Sequence, residues 1–177
     1  MDKIVFFDNK NQTHDVCNGK MYNDFIDYAF ENTDYFMLVY VNYYAKGYSK
    51  KQKYFIDALK KYKVKSRTNP SWPGTLKTLR PNTTYKIVFY KTEPEAKKIL
   101  NEVNALSDWS RPSMPEDLAF FKGNQCWFYS VGHEKISAII HANESDINFL
   151  ESKGLIKVEN VLNHKDNYYD QYDEELP

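Results

Sequence analysis

The sequence predicts an α+β fold: a single domain with a mixed or mostly antiparallel sheet and about four helices lying mainly on one side. Three observations predict it. The chain has 177 residues, a length suited to one core that buries most of its unfolded surface. Helical stripes alternate with apolar, strand-like runs, and several of those runs are separated only by short polar turns, which marks hairpins among the crossovers. The domain is expected over residues 1–158, and 159–177 reads as an acidic, flexible C-terminal tail.

Residues 4–7 and 14–16 flank the turn Asp8-Asn9-Lys10-Asn11 and read as an opening hairpin. Tyr22, Phe25, Ile26, Ala29 and Phe30 recur at the spacing of one helix face. Residues 35–44 are aromatic and β-branched without Gly or Pro, which predicts a central strand. Ser49 is placed to cap a helix over 50–62 whose lysines lie opposite the Tyr54, Phe55, Ala58, Leu59 and Tyr62 stripe.

Residues 64–83 show no periodicity and are broken by Asn69-Pro70, Trp72-Pro73-Gly74 and Arg80-Pro81, so a long loop is expected. Trp72, the large apolar group in its middle, either pins the loop to the core, the favoured reading, or is presented to a partner. A strand follows over 84–90, then Thr92-Glu93-Pro94-Glu95 as a capping box. Ala96, Ile99, Leu100, Val103 and Leu106 form a helical stripe that should end before the prolines of 109–115. A hairpin over 118–121 and 125–131 turns at Lys122-Gly123-Asn124, and 136–141 reads as a further strand. Asn143 caps a helix to Lys153 with Gly154 just beyond it, and 155–158 is a last short strand.

Lys plus Arg and Asp plus Glu number 24 each, so no global field draws nucleic acid or an anionic membrane. The distribution is uneven: from Lys46 to Arg80 the basic residues face one acid, Asp57, whereas acids dominate after Val158. Cys17 and Cys126 read as free thiols, and the start M-D-K-I-V-F-F-D suits neither a signal peptide nor a membrane span, so a cytoplasmic protein is expected. The 15 Tyr, 11 Phe and 3 Trp suit a recognition surface, and an AT-rich genome would produce the same excess.

The stretch from Trp109 to Glu134 is the favoured place for a site. Within it His133 and Glu134 resemble a base with its orienting carboxylate, provided the strand ends there, since neighbours on a strand point to opposite faces. Glu116 and Asp117 are a carboxylate pair of the kind that divides acid and base roles, although acids after Pro115 more often fix a turn. Arg111 stands near enough in sequence to neutralise one of them. Cys126, His133 and His141 lack a fourth ligand at zinc spacing, and the scattered glycines form no phosphate cradle, so neither metal nor cofactor is expected. The segment from Lys46 to Arg80, with its tyrosines and Trp72, is a candidate for single-stranded nucleic acid. The tail, with Tyr168, Tyr169 and Tyr172 among its acids, reads as a solvated end or as a dock for a basic partner.

W-P-G-T at positions 72–75, the W…P-x-x-P-E-D-L-x-F run, and W-F-x-S-x-x-H-E at 127–134 together resemble small uncharacterised proteins of Gram-positive bacteria and their phages or mobile elements. The resemblance covers about a third of the chain, from Trp72 to Glu134, and implies no established activity. It does imply that the two tryptophan segments meet as one surface. Ala119 stands where the pattern has a cysteine, which argues against a catalytic thiol there.

The leading expectation is a non-enzymatic binding protein, of inhibitor or immunity type. It would engage a protein or small ligand through the Trp72 loop and the hairpin from Pro115 to Glu134, with Arg67, Trp72, Arg111, Glu116, Trp127, His133 and Glu134 in contact. The alternative is a small hydrolase or transferase on a nucleotide-like substrate, with His133 as general base and Glu116 or Asp117 assisting.

Overall fold

The computed structural model describes residues 2–77, 79–163 and 171–177. In chain order its elements are β1 (Lys3–Phe6), α1 (Lys20–Asn32), β2 (Tyr35–Asn42), α2 (Lys50–Ala58), β3 (Lys63–Thr68), β4 (Ser71–Trp72), β5 (Thr75–Leu76), β6 (Thr84–Lys91), α3 (Pro94–Leu100), β7 (Glu116–Lys122), β8 (Gln125–Val131), β9 (Ile136–Ala142), α4 (Glu144–Ser152) and β10 (Val161–Asn163). Eight strands form one sheet in the order β10-β1-β9-β8-β7-β2-β6-β3, and every pairing is antiparallel. Strands β4 and β5 make a separate small hairpin. The α+β class and the antiparallel sheet are as the sequence predicts.

Strand β2 sits between β6 and β7 because its side chains from Tyr35 to Val41 are buried, which requires cover on both faces. Alternation then sorts residues between two cores. Phe36, Leu38 and Tyr40 face the helices, where Tyr22, Phe25 and Ile26 of α1, Phe55 of α2, Leu100 of α3 and Leu150 of α4 complete one cluster. Met37, Val39 and Val41 face the other way, with Ile87, Phe89, Phe121 and Cys126. No helix lies in that second cluster among the described residues. Trp72 of the small hairpin packs into it, and Tyr172 and Leu176 of the C-terminal segment pack against it.

Capping follows the sequence at two helices. The Ser49 hydroxyl accepts from the Gln52 amide, and Asn143 forms a capping box with Asp146. Five expectations are corrected. Residues 14–16 do not pair with β1, which lies between β9 and β10; the Asn9 side chain instead accepts from the Val16 amide at 2.9 Å and folds that stretch into turns. Residues 63–68 are a strand rather than a loop, an edge strand whose second-face positions hold Lys65 and Arg67, paired with Glu174, in place of apolar residues. Thr92 caps nothing: its hydroxyl donates to the Thr33 carbonyl at 2.6 Å, and Glu93 is the N-cap of α3. Helix α3 stops at Leu100 because the Leu106 amide bonds the Cys17 carbonyl and Ala105 bridges Asn18, which draws the chain out of helical register. Residues 155–158 are not a strand; the last one is β10.

The tail is corrected in part. Residues 171–177 are docked on the second face, with Glu174 ion-paired to Arg67 at 2.5 Å. Tyr168 and Tyr169 lie outside the described residues. No helix among the described residues is long and apolar enough to cross a membrane.

Candidate functional site

Two bulges decide which side chains reach the site. Between β2 and β7 the pairing steps from Met37↔Ala119 to Val39↔Glu116, so Asp117 and Leu118 together oppose Leu38. Asp117 absorbs the extra residue with φ of 57°, a left-handed conformation that Asp tolerates better than most residues. Glu116 opposite Val39 and Asp117 beside Trp72 consequently share the second face, although neighbours on a regular strand would not.

Asp117 is fully buried and saturated with donors. Its Oδ2 accepts from the Trp72 indole at 2.8 Å and the Thr75 hydroxyl at 3.2 Å, and its Oδ1 from the Gly132 amide at 3.0 Å. Its own amide donates to the Trp109 carbonyl at 3.1 Å. One carboxylate therefore ties the Trp72 loop, the end of β8 and the entrance to β7 together. Burial holds the carboxyl above its ordinary range, opposed by the Trp72 and Gly132 hydrogen bonds. Trp72 is 2% exposed, so it pins the loop rather than presenting an aromatic face. Two glycines permit the close approach: a Cβ on Gly74 would come 2.6 Å from the Tyr129 ring, and one on Gly132 would come 2.2 Å from the Trp109 carbonyl.

Glu116, next in the chain, is in the opposite condition. It is fully buried, its Oε1 accepts from the Tyr43 hydroxyl at 3.1 Å, and the Arg111 Nε stands 3.9 Å away. Its Oε2 has no hydrogen-bond partner among the described residues. Burial first, and the Asp117 charge second, push the Glu116 carboxyl up, against the pull of Lys77, Tyr43 and Arg111. Burial, with Glu116 adding to it, likewise raises the Tyr43 hydroxyl to about 12.

The rim around this carboxylate is partly open. Arg111 is 35% exposed and forms one wall of a groove of about 930 Å³ that runs between α2 and the 102–114 segment past Tyr54, Phe55 and Met114. His133 lies in the turn that ends β8, with its Nε2 3.6 Å from Glu134 Oε1. Burial and the nearby Lys77 charge lower the pKa of His133, so its imidazole is held neutral. The strand does end before His133, the condition for that pair to act together.

The structure brings Trp72, Arg111, Glu116, Asp117, His133 and Glu134 to one end of the sheet. It does not bring Trp127 there, and Arg67 lines a cavity beside the Trp72 loop. Trp127 is the extra residue of a second bulge, between the Phe120↔Phe128 and Phe121↔Cys126 pairs, and it turns into the helix-side core, where its indole donates to Asp146 at 3.2 Å. Arg67 is committed to Glu174 and to the Ser71 carbonyl. Tyr43 and Lys77 were not anticipated; the position of Tyr43 just after the central strand was the available signal, and Lys77 carried none. Among the described residues no group of three or more His, Cys, Asp or Glu is placed to hold a metal. Both cysteines are buried thiols, and burial pushes their pKa values well up. Comparison with family models, curated proteins and solved structures finds no match.

Proposed function

We propose that this is a non-enzymatic binding protein of inhibitor or immunity type, and that it holds a protein partner or small ligand at the sheet end where the Trp72 loop meets the hairpin from Pro115 to Glu134. Glu116 carries the reading. A fully buried carboxylate with one oxygen unpaired costs stability, and folded proteins retain such groups chiefly where function needs them. Its partly open neighbours Arg111 and Tyr43 supply guanidinium and hydroxyl donors, His133 near Asp117 supplies an imidazole, and the groove beside Arg111 supplies apolar contact through Tyr54, Phe55 and Met114. Trp72 positions this rim and does not touch the ligand.

The test is affinity capture from native lysate, with mass spectrometry of proteins and co-eluting small molecules, run in parallel on the wild type, Arg111→Ala and His133→Ala. A species held by the wild type and lost from both variants at unchanged melting temperature supports the reading. Identical capture by all three contradicts it.

A second reading, a hydrolase or transferase on a nucleotide-like substrate, is favoured by one observation. The shifts at Glu116 and His133, on the same rim, run in opposite directions, up for the carboxyl and down for the imidazole, which is how acid and base roles separate. Under it His133 is the base and Glu116 the acid. Turnover of a nucleotide panel that His133→Ala abolishes without unfolding the protein would favour it over simple binding.

A further inference from the structure

We infer that the second face of the sheet is a receptor groove for an extended acidic peptide of a partner protein, and that residues 171–177 occupy it as an intramolecular ligand. Three strands separate β8 from β3 in the sheet order, so a flat sheet would hold them about 19 Å apart. Yet Tyr172 meets Tyr129 of β8 edge to face at 5.6 Å, while Glu174, two residues on, reaches Arg67 of β3. The segment therefore lies across the second face, spanning from β8 to β3.

The contacts have the form of peptide recognition. Main-chain donors at alternate positions, the Glu174 and Leu176 amides, bond the Asn124 carbonyl at 2.9 Å and its side-chain Oδ1 at 2.8 Å. Tyr172 and Leu176, four positions apart, both pack against the second cluster. The acids are read separately. Glu174 Oε1 takes Arg67 Nε at 2.8 Å, its Oε2 lies 3.4 Å from Lys65 Nζ, and the carboxylate is 10% exposed. Asp173 Oδ1 accepts from the Cys126 amide at 3.1 Å. The Tyr35 hydroxyl donates to the Pro177 carbonyl. A cavity of about 250 Å³ remains beside Tyr172 and the Trp72 loop, so the groove extends beyond its occupant. A guanidinium fork, a lysine, the Cys126 amide and the two acceptors of Asn124 select an acidic chain. Tethering gives the resident segment a high effective concentration, so a free peptide competes poorly with it.

The test uses the full-length chain with Glu174→Arg, which sets a cation against Lys65 and Arg67 and expels the segment. The probe is a fluorescein-labelled peptide of the 171–177 sequence, followed by fluorescence polarisation at low salt. The peptide should bind E174R at least about tenfold more tightly than the wild type. Adding Arg67→Glu restores the ion pair in reverse and should close the groove again. A peptide with Gln and Asn in place of its acids should not bind. Hydrogen exchange at the 174 and 176 amides reports whether the segment has left. Amides that stay protected in E174R overturn the inference, because a segment that cannot be displaced is part of the fold. Fast exchange without peptide binding overturns it too, as does preference for a single-stranded oligonucleotide over the peptide.

Discussion

Trp127 and Trp72 each donate an indole N–H to a buried aspartate, at 3.2 Å to Asp146 and at 2.8 Å to Asp117, on opposite faces of the same sheet. Around Asp146 everything is settled: it also accepts from Tyr28 and the Asn143 amide, and Phe25 and Phe149 belong to the same helix-side core. Both places carry a bulge, at Trp127 and at Asp117, but around Asp117 the bulged residue is left-handed and its neighbour Glu116 is half-satisfied. One bond closes a core; the other fastens a loop beside groups that remain available. Local conflict concentrated in one of two otherwise similar places is the ground on which the proposed site rests.

Truncating the two indoles should break the symmetry most strongly. Trp127→Ala removes a ring stacked on Phe25 within the main core and should cost about 3–5 kcal/mol by urea unfolding. Trp72→Ala should cost less, about 2–3 kcal/mol, because the small hairpin can lift without opening the sheet. Equal losses would mean that the loop is as integral as the helices.

Glu116→Gln sharpens the contrast next. Glu116 and Asp117 hold their protons more tightly folded than unfolded, so stability is greatest below their unfolded values, 4.5 and 3.8, and falls as pH rises through the raised folded values. Removing the Glu116 charge should raise stability by about 1 kcal/mol near neutral pH and leave it unchanged in acid, with a flatter pH profile. A destabilised variant would show that Glu116 is a structural ion-pair partner of Arg111.

His133→Ala should be the mildest, within about 0.5 kcal/mol for a partly exposed side chain. Its folded pKa lies below the unfolded 6.5, so the wild type gains stability as pH rises between the two and the variant should lose that gain.

The helix-side half was legible because burial there follows a period. Tyr22, Phe25, Ile26 and Ala29 announce α1, and the run from Tyr35 announces β2. The second face was not, for three physical reasons. Edge strand β3 turns Lys65 and Arg67 toward Glu174 and has no apolar alternation to read. The C-terminal segment is held by pairing between residues more than a hundred positions apart, such as Lys65 with Glu174, which composition alone reports as a charged tail. Bulges at Asp117 and Trp127 shift alternation by one residue, so two neighbouring acids came to share a face and one expected contact residue left the surface. The meeting of the Trp72 loop with the hairpin was anticipated; Tyr43 and Lys77 at the rim were not.

The bond from Trp72 to Asp117 fastens the loop to the sheet, and a double-mutant cycle measures it. Unfolding free energies of the wild type, Trp72→Phe, Asp117→Ala and the double variant isolate the coupling, since the Thr75 and Gly132 bonds cancel. A buried hydrogen bond to a charged acceptor predicts a coupling of about 1.5–3 kcal/mol. Additive losses, with coupling indistinguishable from zero, would mean that the carboxylate does not hold the loop.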